Sequence, residues 1–355
     1  MSRRQLNYPA RPILGIALLL VSIVAAIPVT AQESLAKLAA YEGPDRATRI
    51  AANAKKEGEL SIYTSLGTED AAALAAVFEK KYGIKLKVWR ASSEKILQRI
   101  VTEAQGGRFD FDVVETISPE LESLSREKLL QRVNSVFHAE LLEQAVPAHK
   151  EWASTRLNLF TQAYNTKLIR KEDLPKTFEE LAQPQWKGKL GIEADDPQWL
   201  AAIAKENGEA KTLQTFRDIA RNNGLSVRKG HTLLTNLVVS GEVPLALTVY
   251  NYRVEQMKNK GAPIDWFTIG PAIALPSGIG VSRAAPHPHA ALLFYDFILS
   301  EGQAILAKKD FVPTSRTLDS PLTKGAIRFL DPTVVIDQQE KWGKLYDEII
   351  VKQGR

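Results

Sequence analysis

The chain has 355 residues, a formal net charge of +5 and no cysteine. The lack of cysteine excludes a disulfide framework, thiolate metal sites, cysteine nucleophiles and a lipid-modified N-terminal cysteine. The modest charge, with no Lys/Arg cluster, argues against nucleic acid as a partner.

Arg3, Arg4 and Arg11 precede a short apolar run from Ile13 to Ile27, and Val29-Thr30-Ala31 offers small residues where a signal peptidase cuts. That order predicts a cleaved export leader over residues 1–31, by either the general or the twin-arginine route. The run falls short of the roughly 20 residues that a spanning helix needs. The three leader arginines supply more than half of the net charge, so the exported protein is nearly neutral. A soluble periplasmic protein is expected, with enough chain for one large or two medium domains.

Residues 32–57 are Ala-rich and charged, and predict a short leading helix. Strands then alternate with helices. Leu60 to Tyr63, Leu86 to Trp89 and Phe111 to Val114 read as buried strands. Thr68, Ser92 or Ser93, and Ser118-Pro119 offer helix starts after them. Further on, Thr177 opens a helix through Leu181, Leu190 to Ile192 is a strand, Asp196-Pro197 starts a helix, and Pro244 to Val249 is a strand. Pro286 to Leu299 carries a last core helix. Alternation of this kind means mainly parallel sheets covered by helices on both faces. There is no internal repeat and no low-complexity linker. Extended crossings near 157–163 and 267–273 would join two lobes as a hinge.

Six segments together resemble the extracellular solute-binding proteins of the ferric-iron, thiamine and phosphonate type. They are Leu60–Ser65, Phe78–Ile84, Phe109–Val114, Pro184–Lys189, Gly241–Pro244 and Ser300–Gln303, in the family's order across residues 58–316. The resemblance implies a two-lobed α/β clamp, type II-like, with a two-strand hinge and the ligand held between the lobes. Residues 58–157 with 271–320 would form the first lobe and 158–270 the second, with 321–355 as a C-terminal helical segment packing on them.

In open parallel sheets, ligands gather beyond the carboxyl ends of the strands, where helix starts present unpaired N–H groups. In that position stand Thr64, Ser65, Arg90, Ser92, Ser93 and Glu115 from the first lobe. The second lobe adds Asp195, Asp196, Trp199, Tyr250, Asn251 and Tyr252. The ferric-binding branch of the family uses two adjacent tyrosines at the place of Tyr250-Asn251, a histidine at the place of Gly67 and a carboxylate at that of Ile117. Only Tyr250 matches, so a bare metal site is not favoured, although Tyr250, Tyr252 and Glu115 remain candidates for iron in a shifted geometry. An acidic side with aromatic faces suits an organic cation, and Arg90 beside a helix start suits a phosphate or carboxylate. The main expectation is therefore capture of a small charged organic solute, thiamine-like or amino-phosphonate, for an ABC permease. Ferric iron is the alternative, and a chemotaxis or signalling receptor a second one. No nucleophile elbow or zinc-protease motif is present, so no enzyme and no cofactor is expected. A monomer is expected. His138, His149, His231, His287 and His289 read as solvated or capping groups.

Overall fold

The computed structural model of the protein describes residues 29–320, 322 and 327–353. All but the last three residues of the expected leader lie outside this set.

Residues 32–57 form two helices rather than one: α1 (Val29–Ala40) and α2 (Arg46–Glu57). The first lobe then builds as β1 (Glu59–Thr64), α3 (Thr68–Tyr82), β2 (Lys85–Arg90), α4 (Ser93–Gln105), β3 (Val113–Ile117) and α5 (Ser118–Arg126). Strands β2, β1 and β3 lie side by side and parallel. Helix α3 carries Glu69 and Asp70 in its first turn, where they complement the helix dipole, and stops at Gly83 in a left-handed conformation. Thr68 does not cap it; Gly67 holds that position.

After the short β4 (Leu130–Gln131) comes β5 (Trp152–Asn165), fourteen residues long and buried throughout. The second lobe follows as β6 (Leu190–Glu193), α6 (Pro197–Asn207), α7 (Glu209–Asn223), β7 (Ser226–Arg228), α8 (His231–Ser240), β8 (Leu245–Tyr250), α9 (Asn251–Asn259) and β9 (Ile264–Phe267). The helix expected from Thr177 is only a single tight turn, Glu179–Ala182. Strand β10 (Ala272–Ser282) returns to the first lobe, where α10 (Pro288–Phe297) is almost wholly buried. Phe294 of α10 meets Phe78 of α3 edge-on, with ring centroids 5.0 Å apart.

Two antiparallel strands make the crossing. Residues Trp152 to Phe160 of β5 pair with β10, and the stretch from Phe160 to Asn165 pairs with β8 and β9 in the second lobe. Strand β10 in turn pairs with β3 through Ser277 to Val281. The return crossing thus runs over 272–282, later than the stretch 267–273 expected. The lobes keep separate apolar cores, one around Phe78, Phe294 and Phe297, the other around Trp199, Phe216 and Leu247.

The chain continues through α11 (Gln303–Ala307) and β11 (Val312–Pro313), which pairs with β5. Its last part comprises β12 (Ile327–Phe329), α12 (Pro332–Asp337) and α13 (Gln339–Tyr346). Asp337 pairs with Arg126 of α5 at 2.7 Å, while Trp342 and Tyr346 enter the core of the second lobe. The tail therefore holds on to both lobes.

Candidate functional site

A cleft of about 1500 Å³ opens between the lobes. Its first wall carries Ser65 beyond β1, Arg90 at the end of β2, Ser92 and Ser93 at the start of α4, and Glu120 in the first turn of α5. The opposite wall carries Asp195, Asp196, His231, Tyr250 and Tyr252. Arg156 and Asn158 of β5 and Ser277 of β10 form the floor. These are carboxyl ends of strands and starts of helices, the places where α/β sheets gather ligands.

Four of the sequence candidates do not face this space. Thr64 is 1% exposed, donates its hydroxyl to Glu115 and accepts the N–H of Leu66 at 3.0 Å. Glu115 spends its other carboxylate oxygen on Arg156 in a buried ion pair, so it is unavailable to a metal. Trp199 is packed edge-on between Phe178 and Phe216, at 5.6 and 5.4 Å, because the apolar face of α6 points into the core. Asn251 is fully buried, and its Oδ1 accepts the N–H of Leu159 at 3.3 Å. Each of the four holds the frame of the cleft.

Ser65, Arg90, Ser92, Ser93, Asp195, Asp196, Tyr250 and Tyr252 do line it. Arg90 is partly tethered, since its Nε donates to the carbonyl of Leu66 at 3.2 Å. Ser92 stands at the N-cap of α4, yet its side chain makes no capping bond. The rings of Tyr250 and Tyr252 lie side by side, centroids 6.0 Å apart and planes 17° apart. Tyr250 ends β8, the buried Asn251 opens α9, and Tyr252, the second residue of that helix, faces the cleft again. Tyr252 also stacks on Phe311 at 4.1 Å. Neither phenol hydroxyl hydrogen-bonds another described residue. Burial pushes both up from the ordinary tyrosine range, with the charge of Asp196 adding at Tyr250 and Arg156 opposing at Tyr252.

Sequence reasoning missed three groups. His231 follows a three-residue strand, too short to read as one, so its place beyond a strand end was invisible. Its Nε2 lies 3.4 Å from Oδ1 of Asp196, and its ring lies on Tyr250 with centroids 3.9 Å apart. Burial works against the imidazolium, but Asp196 and Glu193 outweigh it, and the group is held above the ordinary histidine range. Glu193, at the end of β6, accepts the N–H of Gly230 at 2.7 Å and that of Asp195. Glu120 is pushed up to about 8, first by burial and then by the charges of Asp195 and Glu94. His287 and His289 instead hydrogen-bond carboxylates distant in sequence, Asp112 at 2.9 Å and Glu57 at 2.7 Å, where they anchor the start of α10.

A family profile described as bacterial extracellular solute-binding protein matches residues 60–312. The chain is 26% identical over 284 residues to iron uptake protein A1 of Synechocystis sp., covering 74% of this chain and 77% of that protein. It is 27% identical over 262 residues to the major ferric iron-binding protein of Neisseria meningitidis serogroup B, covering 70% and 78%. Iron-bound HitA from Pseudomonas aeruginosa superposes with a TM-score of 0.72 at 24% identity, over 82% of this chain and 99% of that one. The fold is therefore the two-lobed clamp, and the chain belongs to the bacterial extracellular solute-binding proteins, the substrate-capturing subunits of ABC importers.

Proposed function

We propose that the protein captures ferric iron in the periplasm and presents it, as a monomer, to an ABC permease. The observation that carries this reading is the Tyr250–Tyr252 pair, two nearly parallel rings on one cleft wall with no hydrogen-bond partner for either hydroxyl among the described residues. Fe³⁺ is a hard ion that takes anionic oxygens, and phenolates are such donors. The curated relatives named above are iron-uptake and ferric-binding proteins, which supports the same cargo. The adjacent-tyrosine pattern is replaced here by tyrosines two positions apart, with the intervening Asn251 turned into the hinge.

Two phenolates do not complete an iron coordination sphere, and Gly67 and Ile117 bring no donor side chain. A cleft of about 1500 Å³ leaves room for an ion that arrives with a small chelating anion. Arg90 and the start of α4 are placed to hold that anion from the opposite lobe. Contact with both walls would favour the closed arrangement of the lobes, in which capture is coupled to rotation about β5 and β10. Native mass spectrometry of protein taken from the periplasm tests the cargo. One iron per chain is the expected result, and a metal-free organic adduct the contrary one.

The cleft volume also favours a second reading, a small charged organic solute spanning Arg90 and Asp195. Affinity for such a solute that survives Tyr250→Phe and Tyr252→Phe, with no iron bound, would select it.

A further inference from the structure

We propose that the second lobe carries its own site for a divalent transition-metal ion of the Zn²⁺ class, made by Glu193, Asp196 and His231. It lies beside the phenol pair, with the His231 ring against Tyr250, but takes its three ligands from the second lobe alone.

The three side chains come from three elements: the end of β6, the residue before α6 and the first residue of α8. Their ligand atoms all lie within 4.8 Å of one another. Three atoms so spaced leave a central point less than about 3 Å from each, and small side-chain rotations close that to the roughly 2.0–2.2 Å of a zinc bond. One imidazole with two carboxylates is a donor set suited to Zn²⁺ and its neighbours, and the fourth position would be left to water.

Free capacity at the cluster is the independent observation. Asp196 is 1% exposed, yet its Oδ2 has no hydrogen-bond partner among the described residues. It occupies the N-cap position of α6 without making the capping bond, so the side chain is turned to His231 instead. Nδ1 of His231 is likewise buried and makes no well-formed hydrogen bond among the described residues, although the main chain of Thr248 lies near the ring. Glu193 is held in place by the N–H groups of Gly230 and Asp195, as an oriented metal carboxylate would be.

The starts of α6 and α8 oppose a cation with about half a positive charge each. With His231 deprotonated, as a metal ligand must be, Glu193, Asp195 and Asp196 outweigh the two helix starts and the nearby Lys229.

The test is calorimetric titration of the purified, metal-free protein with Zn²⁺ alone. One equivalent should bind, and His231→Gln and Asp196→Asn should each weaken binding tenfold or more, while Tyr252→Phe should change it less than threefold. Nitrogen-detected imidazole NMR of the unmutated protein removes any dependence on how the variants fold. Zn²⁺ should shift the ring of His231 and leave His138, His149, His287 and His289 in place. Absence of Zn²⁺ binding, or shifts at the other histidines instead, overturns the proposal. Zn²⁺ bound at His231 in a protein that takes up no ferric iron would sustain this site and sink only the ferric reading.

Discussion

Arg156 of β5 and Glu115 of β3 form an ion pair at the floor of the cleft, with side chains 5% and 1% exposed. The pair ties a crossing strand to the first lobe. With Thr64 on its other oxygen, Glu115 is left no free side to offer to the cleft. Glu115→Gln would leave the Arg156 charge buried without its counter-ion, a change that typically costs about 3–5 kcal/mol. Urea unfolding should show a loss of that order, and a loss under about 1 kcal/mol would mean that water reaches Arg156.

Gly278 sets how closely the two crossing strands approach. A Cβ at this position would lie 2.2 Å from the carbonyl oxygen of Ala153, at the point where the β5–β10 register shifts. Gly278→Ala must push the strands apart, at a cost of about 1–3 kcal/mol. The thermal midpoint should fall. An unchanged midpoint would show that the crossing yields freely.

Glu120 makes the apo protein sensitive to pH. Its carboxyl titrates at about 8 in the folded chain against an ordinary value of 4.5. The folded state therefore binds the proton more tightly than the unfolded one, and stability falls as pH rises from about 4.5 to about 8. Glu120→Gln should match the parent protein near pH 4.5 and exceed it at pH 8.5, by up to about 5 kcal/mol. Parallel stability curves for the two proteins across that range would contradict the assignment.

Asn251 separates a hinge role from a ligand role. Removing its side chain with Asn251→Ala leaves the N–H of Leu159 without an acceptor, worth about 1–3 kcal/mol of stability. Ligand affinity in the folded variant should stay within threefold. A tenfold loss with unchanged stability would place Asn251 in the binding site after all.

Much of the architecture was readable because the parallel strands are short apolar runs, as at Leu60–Tyr63, and because helix starts follow them at Ser92 and Ser118-Pro119. The crossing strand β5 was harder to place. It is buried over its whole length, yet Ser154, Arg156, Asn158 and Gln162 break the apolar pattern, each bonded inside the protein. At the site, Ser65, Arg90 and Tyr250 stand at strand ends and line the cleft, but strand-end position could not tell which way neighbours turn. Thr64, Glu115, Trp199 and Asn251 share that position and point inward. His231 was lost because β7 has only three residues, and Asp196 looked like an ordinary cap although it makes no capping bond.

Capture of ferric iron by the Tyr250–Tyr252 pair is tested most directly by visible absorption during titration with ferric citrate. Bound phenolates should give a charge-transfer band that saturates at one iron per chain, and Tyr250→Phe should abolish it. Because both phenols are held protonated by burial, binding must release protons, and the apparent affinity should rise with pH. A colourless complex, or a band that persists in the Tyr250→Phe, Tyr252→Phe double variant, would contradict the account.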